Sequence, residues 1–332
     1  MSTRRRFIAL TTAGAALTLT PTSLKYAAAQ DYPDEAVDLV VAFAPGGSTD
    51  VVARAFADQL QDVWDEPINV INREGGSGAT GTMSVKTAKP DGQTILMSVT
   101  SAGLTNPAIQ GDALPYKWDD FTFIARVTTS PLVVIVSADN PYETLQELVD
   151  AIEADPEAFS YGTSGPGGPS TFATAQIMTQ AGVDPNALTQ VVLGGGADTV
   201  TAVAGDNVDF AVQNLSEVVE LVKGDKLRGL AVSNVERVEA LPDVPTAEEA
   251  GFDQFTFQGW NGLVGPKDLD QDIVDAWNKA VEPMLEDEEF QTQLRELGLE
   301  PAYLDSKEFK QYLEEQFDFA TQVAEDLNLG ED

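Results

Sequence analysis

Four segments of the chain are rich in Gly, Ser and Thr, and each follows an apolar run typical of a β-strand: residues 45–50, 75–81, 163–171 and 194–198. Where a helix begins, the first backbone N–H groups have no partner, and the helix dipole adds a partial charge of roughly +0.5. Such a loop can hold an anion without Lys or Arg. The segments themselves contain neither, although Arg73 flanks the second. One such segment could be only a tight turn, but four in one chain favour an anion site.

The residue types that are missing restrict the chemistry further, because the chain contains no histidine and no cysteine. A Ser or Cys nucleophile therefore has no histidine base. The usual ligands of zinc, haem and blue copper are missing, and no disulfide can form. We expect neither a metal nor a cofactor. Asp50 and Asp198 are the only acids that we place in a cleft. They could serve a carboxylate-only hydrolase or simply occupy helix starts, where the dipole favours acids.

Residues 76–81 fit the G-x-G-x-x-G pattern of a dinucleotide-binding loop. That fold also requires an acidic residue about 20 positions further on, at the end of the next strand. Thr100, Ser101 and Ala102 stand there instead, which argues against dinucleotide binding. The chain contains no P-loop pattern either. Trp260, within the segment 257–262 (FQGWNG), could line a cleft or pack in the core.

The charge balance is strongly acidic, with 19 basic and 54 acidic residues and a net charge of −35. A charge of this sign argues against binding to nucleic acid and to anionic membranes. The acids are scattered over helix faces rather than collected in one tail, as expected for a solvated shell. Concentrated salt screens such a shell. We therefore interpret the composition as that of a halophilic protein, with a cation-binding surface as the alternative.

The first 29 residues have the pattern of an export signal. Arg4 and Arg5, followed by Phe7, resemble the twin-arginine signal. An apolar stretch too short to span a bilayer comes next, and residues 27–29 offer an A-x-A cleavage site before Gln30. The alternative is an uncleaved anchor. We predict a protein that is soluble outside the cytoplasm after cleavage and carries no lipid anchor, since Gln30 stands where a lipoprotein would have its Cys.

Strand and helix patterns alternate along most of the remaining chain. The opening runs strand, helix, strand, short helix, strand as far as Val99, with Ser48 or Thr49 as the cap of the first helix. The same scheme recurs to about residue 232. The last third is mostly helical, and its long final helix begins at a capping box over 305–308. This alternation predicts an α/β fold in which helices cover parallel sheets.

Six short segments give the chain a resemblance to a known family. They are residues 43–50 (FAPGGSTD), 72–78 (NREGGSG), 90–92 (PDG), 161–165 (YGTSG), 194–196 (GGG) and 241–246 (LPDVPT). With them the chain resembles the tripartite tricarboxylate transporter receptors, or Bug-type extracytoplasmic solute-binding proteins, over about residues 33–330. The first and last of these segments are quite specific together, whereas a bare Gly-Gly-Gly is not.

The resemblance implies a two-lobed, periplasmic-binding-protein-like fold of the type II Venus flytrap kind, with a parallel-rich sheet in each lobe. The first lobe would comprise 30–131 and 232–332, and the second 132–231. It further implies a monomer that binds a small carboxylate of the di- or tricarboxylate type in the interlobe cleft and delivers it to integral-membrane permease subunits. Such a receptor is not an enzyme. The alternatives are a receptor for an ABC transporter or a sensor, and the hydrolase already mentioned.

The loops and the resemblance together define the ligand-binding residues that we predict. They are Phe43, Ala44, Gly46, Gly47, Ser48, Thr49, Asp50, Thr100, Ser101, Thr163, Ser164, Gly165, Ser170, Gly195, Gly196, Asp198, Gln213 and Trp260.

The chain departs from the family pattern at three places in the second lobe. Leu193 and Gly194 stand where the family often has Tyr-Lys, Thr171 where it often has His, and Gln213 where it often has Asp before Asn214. These changes concern the lobe that contacts the distal part of the ligand.

Overall fold

A computed structural model describes residues 32–46, 48–163, 167–193 and 196–329, with the backbone alone at Ser48. Its strands are β1 (Val37–Val41), β2 (Ile68–Asn72), β3 (Thr94–Val99), β4 (Phe121–Ser130), β5 (Leu132–Ser137), β6 (Ser160–Thr163), β7 (Thr189–Val192), β8 (Phe210–Asn214), β9 (Leu227–Val232), β10 (Gly259–Pro266) and β11 (Glu300–Leu304). Its α-helices are α1 (Ser48–Trp64), α2 (Ala79–Lys86), α3 (Asn106–Gln110), α4 (Leu145–Ala154), α5 (Pro169–Gln180), α6 (Gly196–Ala204), α7 (Leu215–Lys223), α8 (Gln271–Glu286), α9 (Glu288–Glu296) and α10 (Ser306–Asp326).

The first sheet has six strands in the order β11-β4-β10-β3-β1-β2. β1 pairs in parallel with both β2 and β3, as the alternating pattern predicts. Helix α1 buries Val52, Phe56 and Leu60 in the same core as Trp277 of α8. These apolar positions recur every three or four residues, so one face of α1 is buried while its other face meets solvent.

The second sheet has five strands in the order β7-β6-β8-β5-β9. β6 is parallel to β7 and β8, whereas β5 is antiparallel to β8 and β9. All six residues of β5 are buried, as expected for a central strand covered on both faces. The carboxyl ends of the parallel strands β6, β7 and β8 lie at one edge of this sheet, and α5, α6 and α7 follow them there.

Two connections join the sheets. β4 of the first sheet continues through Pro131 directly into β5 of the second. The chain returns between β9 and β10, and part of this return belongs to the second sheet's core. There Val238, Leu241 and Val244 pack in the same cluster as Val133 of β5. The predicted two-lobed α/β architecture is therefore present, with mixed sheets that each contain parallel strands.

The sequence pattern misses β4, β10 and β11, which are all antiparallel members of the first sheet. The last third contains the expected helices as α8, α9 and α10, but the pattern does not predict β10, where all eight residues are buried. Its sequence contains Gly and Pro, which weaken strand propensity. Non-local pairing with β3 and β4 outweighs that propensity.

The capping box predicted at the start of the last helix is confirmed, and α4 begins with a similar cap. The Asp305 carboxylate accepts hydrogen bonds from the backbone N–H groups of Lys307 and Glu308, and Glu308 completes the capping box. Thr144 Oγ1 likewise accepts from the Glu147 N–H at 3.2 Å. None of the helices in the described ranges has both the length and the apolarity that a bilayer span requires.

Candidate functional site

A cleft of about 450 Å³ lies between the two sheets. Its lining comes from the ends of β4 and β10 at which the chain passes between the sheets, from the β1–α1 loop and from the starts of several helices. The lining residues are Phe43, Ala44, Thr49, Val52, Val99, Thr100, Ser101, Ser130, Pro169, Asn214, Gly259, Trp260, Asn261 and Leu299. Not one of these side chains carries a formal charge.

Four helix starts meet at the cleft. Thr49 lies in the first turn of α1, Ser101 opens the π-helical turn Ser101–Thr105 that leads into α3, Pro169 is the first residue of α5, and Asn214 is the N-cap of α7. The caps of the last three helical segments make no side-chain capping hydrogen bond. The dipoles of helices that begin at the cleft favour a negatively charged group there.

Asp50 holds the β1–α1 loop rather than lining the cleft. Its Oδ2 accepts from the Gly46 N–H at 2.8 Å and from Arg54 Nε at 2.9 Å, while its Oδ1 accepts from Arg54 Nη2 and Asn72 Nδ2, each at 2.9 Å. Asn72 Nδ2 also donates to the Phe43 carbonyl at 3.0 Å. One buried carboxylate thus ties the loop to helix α1 and to the neighbouring strand β2.

These contacts explain the acidity of Asp50. The hydrogen bonds from Arg54 lower the pKa of this carboxyl from 3.8 to about 2, against the opposing effect of burial. Bonds from Gly46 and Asn72 act in the same direction. An ionised carboxylate with four donors has little capacity left for a reaction or a ligand.

Trp260 forms an apolar wall of the cleft and is 2% exposed. Its backbone N–H donates to Thr100 Oγ1 at 2.8 Å, and its ring packs edge-on to Phe309 at 5.3 Å. Asn261 Nδ2 donates to Thr128 Oγ1 at 2.9 Å. β10 thereby forms a well-packed wall of the cleft, because hydrogen bonds to Thr100 and Thr128 hold its first residues in place.

The second lobe has a buried cluster of hydroxyls behind the cleft. Thr163 Oγ1 and Thr171 Oγ1 lie 2.9 Å apart, and Ser170 Oγ is 3.5 Å from Thr163 Oγ1. Gln213 is 3% exposed, and its Nε2 has no hydrogen-bond partner among the described residues. The hydroxyls bond to one another, so they brace the start of α5 instead of facing the cleft.

The structure brings together six of the predicted ligand-binding residues on the cleft surface, namely Phe43, Ala44, Thr49, Thr100, Ser101 and Trp260. Seven described ones do not line it, namely Gly46, Asp50, Thr163, Ser170, Gly196, Asp198 and Gln213. The prediction also includes Gly47, Ser164, Gly165, Gly195 and the side chain of Ser48, which lie outside the described residues.

Sequence reasoning misses eight lining residues, namely Val52, Val99, Ser130, Pro169, Asn214, Gly259, Asn261 and Leu299. Asn214 had a usable signal, since it ends a strand immediately before a helix. Ser130 and Gly259 had no such signal, because they belong to β4 and β10, which the sequence pattern does not predict.

Two α/β lobes around a cleft of helix starts define the class of two-lobed solute-binding proteins. Residues 52–329 match the family model described as the tripartite tricarboxylate transporter family receptor. The chain belongs to this family. The family resemblance noted in the sequence is thereby confirmed, and the matched range includes the 241–246 segment.

Individual relatives agree with the family assignment. The protein BugT of Bordetella pertussis is 29% identical over 259 residues, which cover 78% of this chain and 78% of BugT. MatC of Rhodopseudomonas palustris, solved with bound malate, is 27% identical with a TM-score of 0.67 over 88% of this chain and 100% of that one. A further R. palustris protein, solved with adipate, is 26% identical with a TM-score of 0.72 over 90% of this chain and 99% of that one.

Proposed function

We propose that this protein is an extracytoplasmic receptor that binds a small carboxylate of the di- or tricarboxylate type between its lobes and delivers it to membrane permease subunits. The observation that carries the proposal is the meeting of four helix starts at a cleft without a charged side chain. A carboxylate is the common small ligand that such donors suit. Relatives solved with malate and adipate support this class.

The energetics favour a carboxylate over a neutral group. A hydrogen bond to a charged group contributes about 1.5–3 kcal/mol, against about 0.5–1.5 kcal/mol for a neutral one. Backbone N–H donors at the helix starts would therefore discriminate in favour of an anion. The cleft of about 450 Å³ is of the size that small-molecule sites have, and the protein would close on its ligand by hinge motion.

We also propose binding without turnover, which sets aside the hydrolase alternative. That alternative needs two free carboxylates in the cleft. Asp50 is engaged by Arg54, Asn72 and Gly46, and Asp198 is exposed outside the cleft lining. A receptor that serves an ABC transporter or a sensor would have the same kind of cleft. These alternatives are therefore distinguished by the membrane protein that receives the ligand and not by the binding site.

Titration calorimetry tests the ligand class directly. After denaturation, dialysis and refolding to remove retained ligand, malate, adipate and citrate are titrated beside the diamide of adipate. We expect carboxylates to bind and the diamide to bind at least about tenfold more weakly, since it offers no charge to the helix starts. The bound carboxylate should be recovered unchanged after long incubation. Equal binding of the diamide, or a product that accumulates with time, contradicts the proposal.

Where the receptor works depends on its first 29 residues, which lie outside the described ranges. We propose that they direct export through the twin-arginine route, because Arg4 and Arg5 precede Phe7. Changing both arginines to lysine should leave the precursor in the cytoplasm, as cell fractionation would show. Normal export of the double variant would mean that the signal is of another kind.

The lobe boundaries are also part of the proposal. We place the first lobe in residues 30–131 and the C-terminal part of the chain, and the second lobe from residue 132 onward. Because Val238, Leu241 and Val244 pack in the core of the second sheet, we propose that the second lobe extends past 231 to about Val244. We further propose that the receptor acts as a monomer, since one chain provides both walls of the cleft.

A further inference from the structure

The two lobes touch at Gly298 and Ser216. Gly298 follows helix α9 of the first lobe, and Ser216 is the second residue of α7 in the second lobe. A Cβ atom placed on Gly298 would overlap the Cβ of Ser216 and would lie 2.9 Å from its Cα and 3.2 Å from its backbone nitrogen. Carbon atoms in contact are normally about 3.5–4.0 Å apart. A side chain at residue 298 therefore does not fit while the lobes keep this separation.

This contact borders the ligand cleft. Leu299, the residue after Gly298, lines the cleft from the first lobe. Asn214, the N-cap of α7, lines it from the second lobe, two residues before Ser216. The distance between the backbones at 298 and 216 therefore sets how closely these two walls of the cleft approach each other.

Neither side of the contact can move easily on its own. The Leu215 N–H donates to the Pro131 carbonyl at 2.9 Å, so the start of α7 is held at the connection between the sheets. Glu300 pairs with Thr129 of β4, which fixes the chain just after Gly298. An atom added at 298 would meet Cβ and backbone atoms, not the tip of a flexible side chain. Relief of the overlap therefore requires a change in the position of one lobe relative to the other.

A second contact between the lobes lies on the other side of β4 and β10. Thr105 Oγ1 of the first lobe donates to the Gly167 carbonyl of the second lobe at 3.1 Å. Thr105 follows β3, whereas Gly298 precedes β11, and β4 and β10 lie between β3 and β11 in the first sheet. The spacing at Gly298 thus belongs to an arrangement in which the lobes meet on both sides of these strands.

The local backbone also favours glycine at 298, and this role must be separated from the contact. Gly298 has a φ of +74°, in the region that favours glycine. Its N–H donates to the Arg295 carbonyl at 2.9 Å, and the Leu299 N–H donates to the Leu294 carbonyl at 3.1 Å. These two hydrogen bonds define a Schellman motif at the end of α9.

Gly182 has the same motif without the contact. It follows α5 with a φ of +74°. Its N–H donates to the Thr179 carbonyl at 3.0 Å, and the Val183 N–H donates to the Met178 carbonyl at 2.9 Å. Among the described residues, a Cβ at Gly182 would meet no atom beyond its chain neighbours within 4 Å. The two glycines therefore differ in the contact between the lobes and not in backbone conformation.

We propose that Gly298 is a positioning residue for ligand binding, because the lack of a side chain there lets the lobes reach the separation at which both contact one ligand. The inference rests on the proposed function and adds to it the residue that limits closure. A side chain at 298 would hold the lobes apart, so a smaller fraction of the molecules could reach the binding-competent arrangement. The apparent dissociation constant rises as that fraction falls.

Gly298→Ala tests this role, with Gly182→Ala as the matched control. Malate, adipate and citrate are titrated into the parent and both variants by calorimetry, and the carboxylate that the parent binds most tightly is compared. We expect the affinity to fall at least about tenfold in Gly298→Ala and to stay parental in Gly182→Ala. Both variants should have a lower melting temperature, because alanine is strained at this φ, so the affinity is the measurement that separates them.

Two further measurements show whether the lobes are held apart. Small-angle X-ray scattering with saturating carboxylate should give a larger radius of gyration for Gly298→Ala than for the parent. The double variant Gly298→Ala/Ser216→Gly removes the nearest atom across the contact and should recover part of the lost affinity. The backbone atoms of residue 216 remain and limit the recovery.

Parental affinity in a folded Gly298→Ala variant overturns the inference, and so does an equal loss of affinity in Gly182→Ala. If the parent itself binds none of the three carboxylates, the proposed function fails instead. Scattering from the unliganded parent and from unliganded Gly298→Ala then still decides the inference, since equal radii of gyration would show that residue 298 does not limit closure.

Discussion

Replacement of Asp50 by alanine should weaken carboxylate binding by more than about tenfold and lower the melting temperature. The side chain connects the Gly46 N–H, Arg54 and Asn72, and Asn72 in turn bonds to the Phe43 carbonyl. Phe43 and Ala44 line the cleft. Without the carboxylate these donors lose their partner, at a cost of about 1–3 kcal/mol for each that stays buried, and the loop loses its fixed position.

The same residue gives a pH dependence with a definite sign. Because the pKa of Asp50 is lowered from 3.8 to about 2 in the folded protein, its contribution is fully present above about pH 4 and is lost as the pH falls toward 2. The contribution is on the order of 2 kcal/mol. The melting temperature of Asp50→Asn should therefore fall less between pH 4 and pH 2 than that of the parent.

Asp58→Ala provides the control for both measurements. Asp58 is an exposed acid on the same helix, so its removal changes the net charge equally while leaving the loop contacts intact. We expect near-parental binding and a parental pH profile from this variant. Unchanged carboxylate affinity in Asp50→Ala, with the protein folded, would show that the loop position does not depend on this carboxylate.

Asp50 also shows how far a sequence can go in locating a site. The Gly-rich turn between a strand and a helix indicates a ligand-facing loop, and Phe43, Ala44 and Thr49 of this segment line the cleft. An acid in the first helical turn is equally compatible with a ligand contact and with a bond to the preceding loop. The choice depends on Asn72, which is the last residue of the neighbouring strand β2 and reaches Asp50 only in the folded sheet.

The second lobe shows a second limit of sequence-based prediction, which is to tell which alternate residues of a strand face the cleft. Gln213 and Asn214 are consecutive at the end of β8, and consecutive strand residues face opposite sides of a sheet. The prediction chose Gln213, whereas Asn214 lines the cleft and Gln213 is buried. Alternation is visible in a sequence, but which side faces the partner lobe is decided by how the sheets are arranged.

Long-range pairing accounts for the remaining omissions. Ser130 lies at the end of β4 and Gly259 at the start of β10, and these two residues are paired across the sheet. Their separation in the chain exceeds any local periodicity, so no pattern of apolar residues predicts that they meet. Ser130 and Gly259 both reach the cleft because the chain passes between the sheets at Pro131 and returns to the first sheet at β10.

The net charge of −35 leads to the second large expected effect, on stability. We expect the melting temperature to fall as salt is reduced from about 1 M to ~0.1 M, because the screening length grows from ~3 Å to ~10 Å. In the described part of the chain, ion pairs such as Lys86–Asp120 and Arg237–Glu249 engage only a few of the acids. The others repel one another once screening weakens. A loss of ~3 kcal/mol would lower the melting temperature by roughly 5 °C in a protein of this size, because the unfolding entropy is about 2.1 cal/mol/K per residue.

Two comparisons separate screening from the general stabilisation of burial by excluded solutes. Sucrose in ~0.1 M salt should restore little of the lost stability if repulsion between acids is the cause, whereas sodium chloride should restore most of it at its first additions. A variant with Glu282, Glu286 and Glu325 changed to Gln removes three exposed helix carboxylates. Its melting temperature should depend less on salt than that of the parent. The difference between the two melting temperatures should be largest at low salt. A parental melting temperature that stays constant over the whole range, or equal salt dependence in the variant, would show that the acidic surface does not set the stability of this fold.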